Sequence, residues 1–222
     1  MIQVKNLTKT FKPGTEQAFH ALKNISFEVH ENELVILQGV SGSGKSTLLA
    51  IIASLMKPTS GEVIVEGKQV AKLPDLHASH FRAKTIGFIF QAFNLLEHLS
   101  VAENVSVPLI PLGYSQKEID QKVAKALQLA NIAHKANSTA KDLSGGEKQR
   151  CAIARALVNN PKVILCDEPT ANLDKVNSLA FIEVIKQLKQ EGYTILIATH
   201  DTIFESLHEV DKVIHIENGE VR

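Results

Sequence analysis

LVILQGVSGSGKSTLL, residues 34–49, is the stretch on which the fold turns. Leu34-Val35-Ile36-Leu37 is an unbroken apolar run, as a strand buried on both faces requires. The small residues Gly39, Ser41, Gly42, Ser43 and Gly44 follow, then Lys45, Ser46 and Thr47, and the whole satisfies G-x-x-x-x-G-K-[ST]. A helix is expected to open near Gly44 and run to about Leu55. Lys57-Pro58-Thr59 should close it, because proline disfavours helix in the residue before it. Strand, small-residue turn and helix in that order make a cradle for a polyanion. Small residues let successive N–H groups face one point, and the helix start adds partial positive charge. Lys45 can then meet phosphate oxygens as a point charge, and the Ser46 hydroxyl suits Mg²⁺. A glycine-rich turn with a solvated lysine is the plain alternative, and the flanking strand and helix weigh against it.

Before this stretch, Ile2, Val4 and Leu7 suggest a strand broken at Phe11-Lys12-Pro13-Gly14, and Ile25, Phe27 and Val29 alternate with polar residues. Beyond it, Val63-Ile64-Val65 reads as another short strand, and residues 75 to 160 read as largely helical. Ser115 with Glu118, and Ser144 with Glu147, have the spacing of capping boxes that open helices. The last third alternates: strand 163–166, amphipathic helix 175–190, strand 194–198, short helix 201–208 and strand 212–216. That rhythm predicts an α/β protein with a mostly parallel sheet covered on both faces, interrupted by an inserted helical subdomain.

Lysine plus arginine number 24 and aspartate plus glutamate 24, so no basic field draws the chain to nucleic acid. An apolar share of 44% over 222 residues suffices for a sizeable core without staples. Cys151 and Cys166 fall in segments that read as buried, so they are expected as apolar fillers in a reducing compartment. No run approaches the ~18 apolar residues of a membrane span, and the opening MIQVKNLTKTFK lacks the apolar core of a signal peptide. The expectation is a soluble, non-exported protein that meets a membrane only through a partner.

Hydrolysis of a nucleoside triphosphate needs a second Mg²⁺ ligand and a group that handles water. Asp167 closes the apolar strand 163–166 at its carboxyl edge, where ligands bind in open α/β sheets. Glu168 follows as a candidate general base, and Pro169 stops the strand abruptly. The bland reading is two acids that merely end a strand.

At LSGGEKQR, residues 143–150, the chain resembles the ATP-binding subunits of ABC transporters. The other motifs of that family follow in order over almost the whole chain. The resemblance implies a P-loop NTPase (RecA-like) core with an N-terminal antiparallel β-subdomain. It implies one ATPase domain over 1–222: core and β-subdomain over about 1–90 and 160–222, helical subdomain over about 91–159. It implies two subunits packed head to tail over two Mg·ATP, with Ser144, Gly145 and Gly146 of each capping the nucleotide held by the other. Ser144 also has the plain reading of a helix cap, and the two are compatible. Gln91, after the strand-like Ile86-Gly87-Phe88-Ile89-Phe90, resembles the glutamine that senses Mg²⁺ and the γ-phosphate and joins the core to the helical insertion. Asn172-Leu173-Asp174 resembles the dimer-contact loop, and His200 the switch histidine at the γ-phosphate. Phe11 stands where the family stacks an aromatic ring on adenine, with a core role as its alternative. Lys148 and Cys166 depart from the usual pattern without removing a phosphate or metal contact.

The finer resemblance is to the lipoprotein-release and macrolide-export branch. It rests on MIQVKNLTKTFK, on Phe19-His20-Ala21-Leu22-Lys23-Asn24-Ile25-Ser26-Phe27, and on GFIFQAFNLLEHLSVAENVSVPLI at 87–110. It implies an ATPase on the inner face of the cell membrane, held there by a permease. A cell-division ATPase or an importer ATPase stays open beside it, as does a soluble machine working on DNA or ribosomes. Phe93, Leu95, Leu96 and Leu99 are either anchors of a permease groove or interior residues of the helical subdomain.

Overall fold

The computed structural model describes residues 1–204 and 207–222. Strands β1 (Ile2–Phe11), β2 (Phe19–Val29), β4 (Ser60–Val65) and β5 (Lys68–Gln69) form an antiparallel sheet in the order β2-β1-β4-β5. Strands β3 (Leu34–Gln38), β6 (Ile86–Ile89), β7 (Val163–Asp167), β8 (Thr194–Thr199), β9 (Lys212–Glu217) and β10 (Glu220–Val221) form a second, in the order β10-β9-β3-β8-β7-β6. Its pairings are parallel except that of β10 with β9. The helices are α1 (Lys45–Ile52), α2 (Asp75–Thr85), α3 (Val101–Ser106), α4 (Gln116–Leu129), α5 (Gly145–Leu157) and α6 (Lys175–Gln190).

The continuous apolar strands divide their side chains between two cores. Leu34 and Ile36 of β3, Ile164 and Cys166 of β7, and Ile195 and Ile197 of β8 join helices α3 to α6 on one face. Val35, Leu37, Val163, Leu165, Leu196 and Ala198 join α1 and the antiparallel sheet on the other. An alternating strand would supply one such face; an unbroken one supplies both. Each aliphatic side chain so buried is worth about 1.5–3 kcal/mol. Cys151 and Cys166 are free thiols in this interior, and burial pushes Cys151 up to about 11 and Cys166 further still above the ordinary thiol value.

Three expectations need correcting. Helix α1 stops at Ile52 rather than near Leu55. Ser54 turns left-handed at φ 56°, its N–H bonds Ile51 O and that of Leu55 bonds Ala50 O, so a Schellman turn ends the helix ahead of Pro58. Arg82 from α2 secures the turn by donating to Ser54 O at 2.9 Å, a tertiary contact with no local signal. Secondly, in the stretch expected to be largely helical, the strand-like Ile86–Ile89 is indeed β6, but residues 90–100 carry no helix. Asn104, buried at the start of α3, holds that segment by accepting from Leu96 N–H and donating to Leu96 O and Ser100 O. Thirdly, the helix expected over 201–208 is a 3₁₀ turn at Thr202–Phe204, and residues 205–206 lie outside the described residues. Strand β7 also runs one residue further than expected and includes Asp167.

Candidate functional site: a phosphate cleft at the carboxyl edge of the parallel sheet

Four neighbouring strands, β6, β7, β8 and β3, deliver their carboxyl ends to one edge. Gln91 follows β6, Glu168 follows β7, His200 follows β8, and the loop 39–44 follows β3. They converge on a cavity of about 280 Å³ whose wall includes Ser41 to Thr47, Gln91, Glu168 and His200. A larger cavity, of about 660 Å³, opens beside Lys125, Lys162 and Tyr193, at the opposite edge of the sheet, and gathers none of the residues singled out from the sequence.

The loop is shaped by its glycines. Gly44 caps α1 at φ 106°, with no side-chain cap, and a Cβ there would lie 2.5 Å from Ala21 O. Gly42 is also left-handed, with open space where a Cβ would go. The first turn of α1 carries no acid and no capping side chain, so its N–H groups remain for a ligand. The Ser43 hydroxyl is buried without a hydrogen-bond partner, a deficit an incoming phosphate oxygen would relieve.

Lys45 is almost fully buried. Its ammonium donates to Gly39 O at 2.7 Å and Val40 O at 3.1 Å, and lies 3.3 Å from Glu168 Oε1. The other Glu168 oxygen, Oε2, accepts from His200 Nδ1 at 2.9 Å and from the His200 N–H at 3.3 Å. Glu168 itself sits at φ 43°, a left-handed conformation costing an L-residue about 1–2 kcal/mol. Its N–H bonds Ala198 O, which ties that strained residue to β8. Ser46 Oγ donates to Asp167 Oδ1 at 2.8 Å, which brings together two hard oxygen ligands. Burial raises the Asp167 carboxyl above its ordinary value; the Ser46 hydrogen bond opposes this, the neighbouring Glu168 charge adds to it, and Lys45 opposes it. A cation at this pair would relieve the penalty. The hydroxyl–carboxylate pair fits Mg²⁺ only with other oxygens to complete the shell. Among the described residues no group of three His, Cys, Asp or Glu is gathered to hold a metal alone.

Phe11 does not line this cavity. Its cross-strand partner in the β1–β2 pair, Phe19, does, and the Phe11 ring lies under the Lys9 ammonium at 5.1 Å. Sequence reading passed over Phe19 because strand register is set by the pairing rather than by local pattern. Nor do Ser144, Gly145 and Gly146 reach the cleft: they open α5, separate from the cavity wall. There Ser144 and Glu147 form the reciprocal capping box, with Lys135 on Glu147 at 3.1 Å. The amide of Asn172 donates to Gln91 O at 2.8 Å, joining the loop after Glu168 to the residue after β6.

A strand–cradle–helix with a buried lysine, a hydroxyl–aspartate pair and a glutamate–histidine pair at one sheet edge defines a P-loop nucleoside-triphosphatase. The ABC transporter family model matches residues 22–171, and the chain belongs to that family, as an ATPase cassette. It is 41% identical to the uncharacterized ABC transporter ATP-binding protein MJ1508 of Methanocaldococcus jannaschii, over all of this chain and 97% of that one. Identity is 40% to the macrolide export ATP-binding/permease protein MacB of Mannheimia succiniciproducens, where the whole chain matches 34% of the larger protein. Among solved structures, the dimeric post-hydrolysis cassette MJ0796 with ADP and Pi superposes with a TM-score of 0.90 at 40% identity, covering all of this chain and 97% of that one. No helix among the described residues is long and apolar enough to cross a membrane.

Proposed function

We propose that this chain, acting as one domain, binds Mg·ATP in the cleft, closes head to tail with a second copy over two nucleotides, and drives a membrane permease when ATP is cleaved. Lys45 and the unspent N–H groups of α1 take the β- and γ-phosphates. Mg²⁺, when bound, neutralises phosphate charge and orients the γ-phosphoryl group, and Ser46 and Asp167 are the residues that would hold it, with Gln91 beside them. Glu168 takes a proton from water as its oxygen bonds to the γ-phosphorus; the bond to the β–γ bridging oxygen breaks, and ADP and phosphate are left. His200 keeps Glu168 oriented and meets the γ-phosphate from the β8 side. Ser144 and Gly145, exposed at the head of α5, with the buried Gly146 behind them, complete the partner's site. Phe11 or its neighbour Phe19 offers a ring face to the base.

The permease is of the lipoprotein-release or macrolide-export kind, in keeping with the match to MacB. It docks against the segment after Gln91, where Leu96 is 50% exposed while Leu95 packs into the helical core. The cassette is thus held at the inner membrane face by the permease.

The observation that carries this reading is the Glu168 carboxylate poised between Lys45 and His200 at the cleft floor. Glu168→Gln should lower ATP turnover by about 10²–10⁴-fold, the scale of a lost general base. The same variant should run as a dimer with Mg·ATP on size exclusion. Retained turnover, or a monomer under those conditions, would refute the shared-site scheme.

A further inference from the structure

Between β6 and α3 the chain makes a turn that L-residues avoid. Phe93 and Asn94, neither of them glycine, are consecutive left-handed residues at φ 59° and 50°. Asparagine tolerates that region; a phenylalanine there needs an outside hold. The hold comes from one side chain of α5. Arg155 Nη2 donates to Phe93 O and Nη1 to Asn94 O, each at 2.5 Å, and the guanidinium lies 5.9 Å from the Phe90 ring centre. A planar fork that grips two adjacent carbonyls is something lysine cannot reproduce. On the other side of the same turn Asn172 donates to Gln91 O. Gln91 is thus clamped between the helix that begins at Ser144 and the loop that follows Glu168, yet its own side chain makes no part of either grip.

We infer that Arg155 is a positioning residue for the ATPase reaction: it holds the 90–94 turn in its left-handed form and thereby keeps Gln91 at the cleft, making the hydrolytic site responsive to whatever displaces α5. This rests on the role of Gln91 proposed above. The carbonyls of Phe93 and Asn94 lie between Gln91 on the cleft wall and Leu95 on the helical core, so releasing them frees the one from the other. Arg155 touches no phosphate; its effect passes through backbone alone.

The test compares steady-state ATP turnover of the full chain with its Gln91→Ala, Arg155→Lys and Arg155→Lys/Phe93→Gly variants, with thermal melts alongside. Gln91→Ala reports on the underlying reading: if its kcat matches the parent, the role of Gln91 fails. With that role intact, Arg155→Lys should lower kcat about tenfold while KM for ATP stays within twofold. Phe93→Gly should then restore at least threefold, because glycine holds the left-handed turn unaided. A kcat for Arg155→Lys within twofold of the parent, or no recovery in the double variant, overturns the inference. Should Arg155→Lys melt below the assay temperature, Asn172→Ala on the exposed side of the turn decides the matter. A roughly threefold fall in kcat, with ATP-driven dimerisation of the Glu168→Gln background preserved, supports the clamp; an unchanged kcat refutes it.

Discussion

Two helix N-termini in this molecule follow glycine- and serine-rich sequence, and they are finished in opposite ways. At α1 the cap is Gly44, left-handed, with no capping side chain and no acid in the first turn. At α5 the cap is Ser144, its hydroxyl spent on the Glu147 N–H and Glu147 returned to the Ser144 N–H, with Lys135 on the same carboxylate. The first end is left with unmet donors around a cavity; the second is self-sufficient. Their acids differ in the same sense. Asp167 beside α1 is raised by burial, whereas Glu147 at α5 is held down to about 2 by the Ser144 N–H, Lys135 and the Ser144 hydroxyl, in that order. A helix end built for a ligand is thus unfinished in isolation, whereas the one proposed to complete another subunit's site is already finished by its own chain.

The contrast is broken most violently at Gly44. Gly44→Ala puts a Cβ 2.5 Å from Ala21 O at φ 106°, so we expect a loss of about 2–4 kcal/mol, seen in urea melts, and loss of ATP binding by titration calorimetry. Ser144→Ala removes one cap. It should cost about 1 kcal/mol, a fall of roughly 2–4 °C in Tm, while monomer affinity for ATP is kept.

The acids sharpen the comparison through pH. Glu147 has a depressed value, so its stabilisation is full above the ordinary carboxylate value, about 4.3, and lost as pH falls toward about 2. Melts of Glu147→Gln should therefore lie below the parent at pH 7 and meet it near the lower value. Asp167 has the reverse sign: its raised value means that the folded state loses stability as pH rises from the ordinary aspartate value to the raised one. Asp167→Asn should accordingly raise the Tm of the nucleotide-free protein at pH 7 while abolishing turnover. Smallest is Gly145→Ala, where the nearest atom to a new Cβ is Asn172 O at 3.7 Å; the Tm of the nucleotide-free protein should move by less than that of Ser144→Ala.

Legibility from sequence divides along the same line. Lys45 and Ser46 were readable from the spacing of the glycine-rich loop, and Asp167 and Glu168 from their place at the end of an apolar strand, whereas Gln91 and His200 were legible only through the family resemblance. A parallel sheet gathers its strand ends at one edge whatever else the chain does. The capping boxes at Ser115 and Ser144 formed where the spacing predicts, and a third at Ser100 and Glu103 had the same S-x-x-E signal and was passed over. The hairpin β9–β10 was also missed, though Asn218-Gly219 marks its turn. What left no local trace is held by distant partners: the early stop of α1 by Arg82, the irregular 90–100 segment by Asn104 and Arg155, and the place of Phe19 by its register against Phe11.

The strand order has a mechanical corollary. Hydrogen-bonded strands keep a spacing of about 4.8 Å, so Glu168 and His200, rooted on the adjacent β7 and β8 and cross-linked through Ala198, behave as the fixed jaw of a vice. Gln91 stands past the end of the outermost strand, β6, on backbone with no ladder beneath it, and forms the sliding jaw. A displacement of the helices, as the proposed coupling requires, would therefore alter the gap from one side only, leaving the aim of the rigid half unchanged.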